Sequence, residues 1–302
     1  MSHPNPEPRP PEPDRQKRAA TPTLRIYPGD STPDLQVPVR PDANPYLLAA
    51  RELLRSPTIR PNPRDLEPYS RAWFEELELK RYAAHGAWLR RVLEFTRHPG
   101  ESLLVLGPGV GTDAVQYQRH GTNVTVCAAP SDYPELVRRN FDLRGAPFRL
   151  AHAGPDQTLP FDRGAFDLAY LNALHTPPAD LPRAVAEVYR VLKPGGKVFA
   201  LFPAKYDATF WQNVVVPYRR WYRAPVELTD APKYSGRELT RLFDGFTEHR
   251  TSKRHLRRGE LPHLWRFLPL GVMERLLGRV LILRAFKPVT AALEPVPVEP
   301  AA

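Results

Sequence analysis

The chain has 302 residues, of which 42% are apolar, 37 are proline and one is cysteine, and its formal net charge is +10. That length allows one or two domains, and a single cysteine, Cys127, excludes an internal disulfide and a cysteine-rich zinc site. The positive excess points to an acidic partner, which a phosphorylated small molecule, a membrane surface or nucleic acid would each satisfy.

From Pro4 to Pro13 the prolines alternate with charged and polar residues and no apolar side chain intervenes. Such a segment cannot bury enough surface to offset its ordering entropy, so residues 1–44 are expected to form a disordered, locally extended tail, with a second tail over 291–302. No apolar stretch of the secretory kind follows Met1, and runs such as Val280–Leu283 are far too short to span a bilayer, so a cytoplasmic location is expected.

Apolar residues recur at helical spacing from Tyr46 to Leu54 and from Tyr69 to Phe95, which predicts a helical cap over residues 45–98. Trp73, Leu77, Tyr82, Trp88, Leu89, Val92 and Leu93 would share one broad face, and His98-Pro99-Gly100 would end it. Ser102–Leu106 then reads as a strand, Gly107-Pro108-Gly109-Val110-Gly111 as a turn, and Thr112 or Asp113 as the cap of a helix running to Arg119. Further strands are expected over Asn123–Ala128, Phe148–His152, Phe166–Leu171 and Lys197–Phe202, with helices over Ser131–Phe141 and Asp180–Leu192. Lys193-Pro194-Gly195-Gly196 is a forced stop between the last helix and strand. This alternation implies right-handed βαβ units and a parallel sheet. A helix over Gly236–Phe243 and strands over Phe246–His255 and Val280–Phe286 complete the pattern, with an aromatic and aliphatic stretch, Leu261–Leu277, between the two strands.

The glycine turn carries the most chemistry. Glycines after an apolar strand let the backbone bend tightly and approach a ligand, while the next helix presents unpaired N–H groups. The spacing here is G-x-G-x-G, and Thr112 stands where a dinucleotide fingerprint has its third glycine, which argues against a dehydrogenase.

The order "VLGPGVGTD", "LPFDRGAFDLAYLNALH" and "VAEVYRVLKPGGKVFAL" resembles the class I S-adenosylmethionine-dependent methyltransferase superfamily, particularly the type-eleven group related to quinone-biosynthesis methyltransferases. The likeness runs from about Trp73 to Pro288 and includes "KYSGRELTRLFDGF" and "LLGRVLILRAFKP". It implies an α/β, Rossmann-like, seven-stranded and mostly parallel sheet, with helices on both faces and the last strand antiparallel. The methyltransferase domain would span 45–290, with the cap over 45–98, a cofactor half over 99–202 and a substrate half over 203–290. S-adenosylmethionine would be the cofactor. Gly107, Pro108, Gly109 and Gly111 would face its methionine and ribose, Thr112 and Asp113 would stand at the helix start, Ala128 and Ala129 would lie under the ribose, His152 and Ala153 near the adenine, and Asn172 at the end of the fourth strand.

Three departures from the family pattern matter. Such enzymes usually carry acids at positions that are here Val105, Ala128 and His152, and a shifted alignment gives Asp156 the role of His152. A missing charged partner for the ribose hydroxyls would cost on the order of 1.5–3 kcal/mol. Asp132, four residues beyond Ala128, could reach back, and nothing in the sequence requires it to. The expected function is methyl transfer to a small-molecule or lipid-like acceptor. The alternative is a degenerate methyltransferase fold with a binding or scaffold role, and a third reading is an RNA methyltransferase.

Outside the glycine turn, His175 is the candidate general base, against a bland reading as a loop histidine bonded to backbone. Cys127 reads as a small buried strand residue and Asp167 as a structural residue at a strand start. Tyr206, Trp211, Trp221 and Tyr222 are the candidates for an apolar acceptor wall under the cap. "VPYRRWYRAP" reads as part of that cap rather than a nucleic-acid surface. Residues 249–277 couple a basic strand to an amphipathic stretch, which would let a cytoplasmic protein sit peripherally on an anionic membrane; a solvated edge strand with a helix packed on the sheet is the preferred reading.

Overall fold

The computed structural model describes residues 25–27, 50, 53–54, 66–83, 86–154, 156–175, 177–215, 231–258, 261 and 265–289. Its strands are Arg25–Tyr27 (β1), Ser102–Leu106 (β2), Asn123–Ala128 (β3), Phe148–His152 (β4), Phe166–Asn172 (β5), Leu192–Pro203 (β6), Thr247–Arg254 (β7) and Val280–Phe286 (β8). They form one sheet in the order β1-β4-β3-β2-β5-β6-β8-β7. β4, β3, β2, β5 and β6 run parallel, and β8 inserts antiparallel between β6 and β7. The expected seven-stranded Rossmann-like sheet is therefore present, with β1 added antiparallel at one edge. Arg25–Tyr27 falls inside the segment expected to be a structureless tail, and the correction has a simple cause: β4 offers an unpaired edge to a short extended segment. The tail over 291–302 lies outside the described residues.

Side chains alternate across the sheet and build a core on each face. Leu103 and Val105 of β2 pack with Leu93, Tyr117 and Phe141, whereas Leu104 packs with Val188, Phe202 and Phe243 on the other side. The helices Trp88–Leu93 (α2), Thr112–Arg119 (α3) and Pro134–Asp142 (α4) contribute to the first face, and Leu181–Val191 (α5) and Gly236–Leu242 (α7) to the second. The helix Arg71–Arg81 (α1) opens at Ser70, whose hydroxyl accepts from Trp73 N, and it packs Trp73, Phe74 and Leu77 on Leu136 of α4. Residues 50 and 53–54 are helical and join this cluster, while the rest of the stretch from Tyr46 lies outside the described residues. The broad cap face expected from periodicity is thus divided. Trp73 and Leu77 belong to a separate cluster, and Tyr82, Leu89 and Leu93 enter the main core, because α1 ends at Arg81 and a second helix, α2, begins only at Trp88.

Several expected boundaries shift for local reasons. Gly111, at φ 81°, caps α3, so neither Thr112 nor Asp113 does. The helix expected from Ser131 starts at Pro134, where proline's fixed φ suits a first turn. The stop at Lys193–Gly196 ends α5 as expected, but those residues already belong to β6: Leu192 pairs with Phe166 across a register shift, and Gly195 N donates to Lys287 O. Asp167 is structural, accepting from Ser102 N at 2.9 Å and Lys193 Nζ at 2.7 Å.

Candidate functional site

Parallel strands bring their carboxyl ends to one edge, and open α/β sheets bind ligands there. β2 ends at Leu106, and the chain turns through Gly107, Gly109 and Gly111, all with positive φ (63°, 60° and 81°). A Cβ on Gly107 would stand 2.1 Å from the carbonyl oxygen of Asn172 at the end of β5, so only glycine fits where these two strand ends meet.

Two cavities open beside this turn. One, of about 230 Å³, is lined by Leu106, Gly107, Cys127, Ala129, Asp132, Ala153, Leu159 and Leu171 among others, a mostly apolar slot with one carboxylate. The second, of about 220 Å³, lies across Pro108 and Gly109 and is lined by Leu53, Leu77, Arg81, Asp113, Asn172, His175, His255 and Arg257. A wider groove of about 1090 Å³ sits at the opposite, amino-terminal ends of β2 to β5, around Asn123, Arg149 and Phe161, away from the glycine turn.

A buried ion pair braces the second cavity. Asp113 Oδ1 accepts from Arg81 Nε at 2.7 Å and Tyr82 Oη at 2.6 Å, and Oδ2 accepts from Arg81 Nη2 at 2.5 Å and Tyr170 Oη at 2.7 Å. Burial alone would raise the Asp113 carboxyl, but the Arg81 charge and the hydrogen bonds reverse this and hold it below the usual carboxylate range. Asp113, expected at the helix start as a cofactor contact, lines the cavity with both oxygens occupied by these four bonds. The Arg81 side chain keeps 22% of its surface exposed, and Nη1 makes no hydrogen bond among the described residues. Nothing in the sequence singled out Arg81, because its partner lies 32 positions away and is reached only by folding.

His175 faces the same cavity. Burial first, and the Arg81 charge second, push its pKa from the ordinary 6.5 to about 4. The imidazole is therefore neutral near pH 7, able to accept a hydrogen bond but a weak base. Its depressed pKa also couples to stability: the unfolded chain takes up this proton first, so the contribution is present above pH 6.5 and is lost as pH falls toward 4. His175→Gln is expected to flatten the fall in melting temperature between those two pH values, and an unchanged slope would show that the ring is not held neutral.

Of the other residues singled out in the sequence, Gly107, Ala129 and Ala153 line the first cavity, and Pro108, Gly109, Thr112 and Asn172 the second. Gly111, Ala128 and His152 line neither. Gly111 is the cap of α3, Ala128 points into the core beside Val126, and His152 is exposed at the end of β4. Asp156, given the adenine role by the shifted alignment, turns outward to Arg183 at 2.7 Å and Thr158 at 2.6 Å and does not line the first cavity. Asp132, four residues beyond Ala128, lines the first cavity. Its Oδ2 accepts from Ala129 N at 2.7 Å, a short loop that folds the carboxylate back into the first cavity. Cys127 is buried and its thiol is pushed up to about 12, chiefly by burial, so it is no nucleophile. Tyr206 and Trp211, expected in an acceptor wall, are 40% and 38% exposed and line neither cavity; Trp221, Tyr222 and the whole segment 216–230 lie outside the described residues.

Residues 103–196 match the family described as methyltransferase domain. Over these residues the chain is similar to a class I S-adenosylmethionine-type methyltransferase domain. A demethylmenaquinone methyltransferase of Thermus thermophilus is 33% identical over 132 residues, covering 41% of this chain and 60% of the relative. A second of that name, from Symbiobacterium thermophilum, is 27% identical over 161 residues, covering 48% of this chain and 63% of the relative. The chain thus spans less than two thirds of either relative's length. A geranyl diphosphate C-methyltransferase from Streptomyces coelicolor, solved with S-adenosyl-L-homocysteine, is 17% identical with a TM-score of 0.46, covering 73% of this chain and 82% of that one.

S-adenosylmethionine is the cofactor of this family, and the residues present fit it. The first cavity offers apolar walls for a flat base and one carboxylate, Asp132, for a ribose diol. The cradle at Gly107 admits no side chain, and beyond it Arg81 presents a guanidinium edge suited to a carboxylate.

Proposed function

We propose that the protein transfers the methyl group of S-adenosylmethionine to a small-molecule or lipid-like acceptor. The observation that carries this reading is the pair of cavities on either side of the Gly107–Asn172 contact, with Asp132 in one and Arg81 and His175 in the other. When bound, the cofactor supplies a methyl group on a positively charged sulfur, a good leaving group that needs little beyond in-line approach of a nucleophile. The chain's own part is then positioning. Asp132 and the slot from Leu106 to Leu171 hold the nucleoside, and Arg81, itself fixed by Asp113, holds the carboxylate end. Leu53 and Leu77 present an apolar wall that limits water in the acceptor cavity, where neutral His175 accepts a hydrogen bond from an acceptor O–H or N–H. An acceptor with an apolar body suits this wall, and a protein that meets a lipid-like acceptor works beside a membrane.

The test is calorimetric titration of the purified protein with S-adenosylmethionine and S-adenosylhomocysteine. Binding of both is expected, and Asp132→Asn should weaken both tenfold to a hundredfold, because each carries the same ribose and loses one charged partner. Absence of binding by a folded protein would instead favour the scaffold reading. Equal affinity in the variant would remove Asp132 from the ribose.

A further inference from the structure

Nine large apolar side chains are exposed among the described residues, and seven of them come from two short segments: Tyr206, Phe210 and Trp211, and Phe267, Leu268, Val272 and Leu276. The helix Leu270–Leu277 (α8) explains the second group. Met273 and Leu277, one turn apart, pack inward on Ala208, Leu256 and Leu261, so Val272 and Leu276, also one turn apart, point outward at 52% and 58% exposure. Phe267, before the helix, is 87% exposed. The first group opens the helix Ala208–Val215 (α6), where the rings of Tyr206, Phe210 and Trp211 follow one another at 5.0 and 5.5 Å. Lys253 joins the two groups: its Nζ donates to Tyr206 O at 2.7 Å and Leu276 O at 3.1 Å.

Positive charge rims this ridge. Arg275 is exposed on α8, and Arg258 Nη1 donates to Arg266 O, next to Phe267. Glu274, the acid of α8, is turned toward Arg254 on β7. Among the described residues no helix is long and apolar enough to cross a bilayer, so this surface would lie on one.

We propose that the outer face of α8, with Phe267 and the Tyr206–Trp211 ridge, docks the protein on an anionic lipid surface. The exposed apolar side chains would enter the headgroup boundary while Lys253, Arg258 and Arg275 meet the lipid charges. A second copy of this chain fits the same face less well, because pairing would bring two like-charged rims together on molecules of formal charge +10. The position also serves the acceptor cavity. Leu256 is packed under α8, and its neighbours His255 and Arg257 line that cavity, so docking would set its lining beside the membrane. This last point rests on the proposed methyl transfer, whereas docking itself does not.

Flotation of the full chain with vesicles of phosphatidylcholine alone, or mixed with phosphatidylglycerol, tests the proposal. Binding is expected to the mixed vesicles only, to fall with added salt, and to drop about tenfold or more in Phe267→Ser/Leu276→Ser, since two apolar anchors are lost. Cofactor affinity, measured by calorimetry on the same variant, should be unchanged and so reports that it is folded. Failure of wild-type protein to float, equal flotation of the variant, or self-association that the double substitution abolishes would overturn the docking surface. Failure to bind cofactor alongside normal flotation would overturn the methyltransferase reading alone.

Discussion

Asp113→Ala is expected to lower the unfolding free energy by about 3–5 kcal/mol, the range for removing one partner of a buried ion pair. The aspartate side chain is 6% exposed and accepts four hydrogen bonds, so the substitution leaves the Arg81 guanidinium without its counter-charge and two buried tyrosine hydroxyls without an acceptor. Asp113→Asn keeps the shape but not the charge and should fall between. Replacing both partners, Arg81→Met with Asp113→Ala, should recover part of the loss, because the cost lies in the uncompensated charge rather than in the missing attraction. Urea denaturation of the four proteins measures this. Because the Asp113 carboxyl is held below its ordinary range, its contribution is present above the unfolded pKa of about 4 and is lost as pH falls through the lower folded value. The acid limb of the stability curve should therefore be shallower in Asp113→Ala. A loss under about 1 kcal/mol would show that water solvates the Arg81 charge once its partner is removed.

Gly107→Ala is expected to weaken cofactor binding by more than about a hundredfold and to destabilise the fold by about 1–3 kcal/mol. Two effects combine there. The backbone sits at φ 63°, and the added Cβ would stand 2.1 Å from the carbonyl oxygen of Asn172, a backbone atom that cannot rotate away. To relieve that overlap, β2 and β5 must part between the two cavities. Gly145→Ala supplies the control, since it has nearly the same φ, 60°, with no atom within 4 Å of the added carbon. It should show the backbone strain alone, about 1–2 kcal/mol, and unchanged cofactor affinity. Similar behaviour of the two variants in calorimetry and thermal melts would mean that the close approach at Asn172 is not what forms the site.

The strands and helices of the cofactor half were legible because each signal was local. An apolar run of five or six residues, a glycine break and an amphipathic stretch recur in order, and the strands fall within a residue or two of their expected ends, apart from β6, whose bulged start hid inside a Lys-Pro-Gly-Gly stop. Cap residues were less legible. Thr112 and Asp113 have capping side chains, but Gly111 already provides the left-handed turn, which frees Asp113 to bond Arg81. Two of the four acceptor-wall candidates, Tyr206 and Trp211, line neither cavity, for a related reason. Aromatic residues mark apolar surface, and nothing in their spacing tells a cavity lining from an outward ridge, so Tyr206 and Trp211 were set against a ligand and instead face outward.

What the sequence by itself determined is the βαβ order, the glycine turn and hence the edge of the sheet that holds the site. Those depend on neighbours within a few residues, where sterics and periodicity act directly. Only the tertiary structure decided which acids line the cavities there. Matching by position leaves Val105, Ala128 and His152 as losses, but a cavity is lined by position in space, and a short loop after Ala128 brings the Asp132 carboxylate to the wall of the first cavity. Likewise Arg81 and Asp113 become one unit only when α1 is laid against α3, because a buried charge selects its partner by proximity after folding, whatever the distance along the chain.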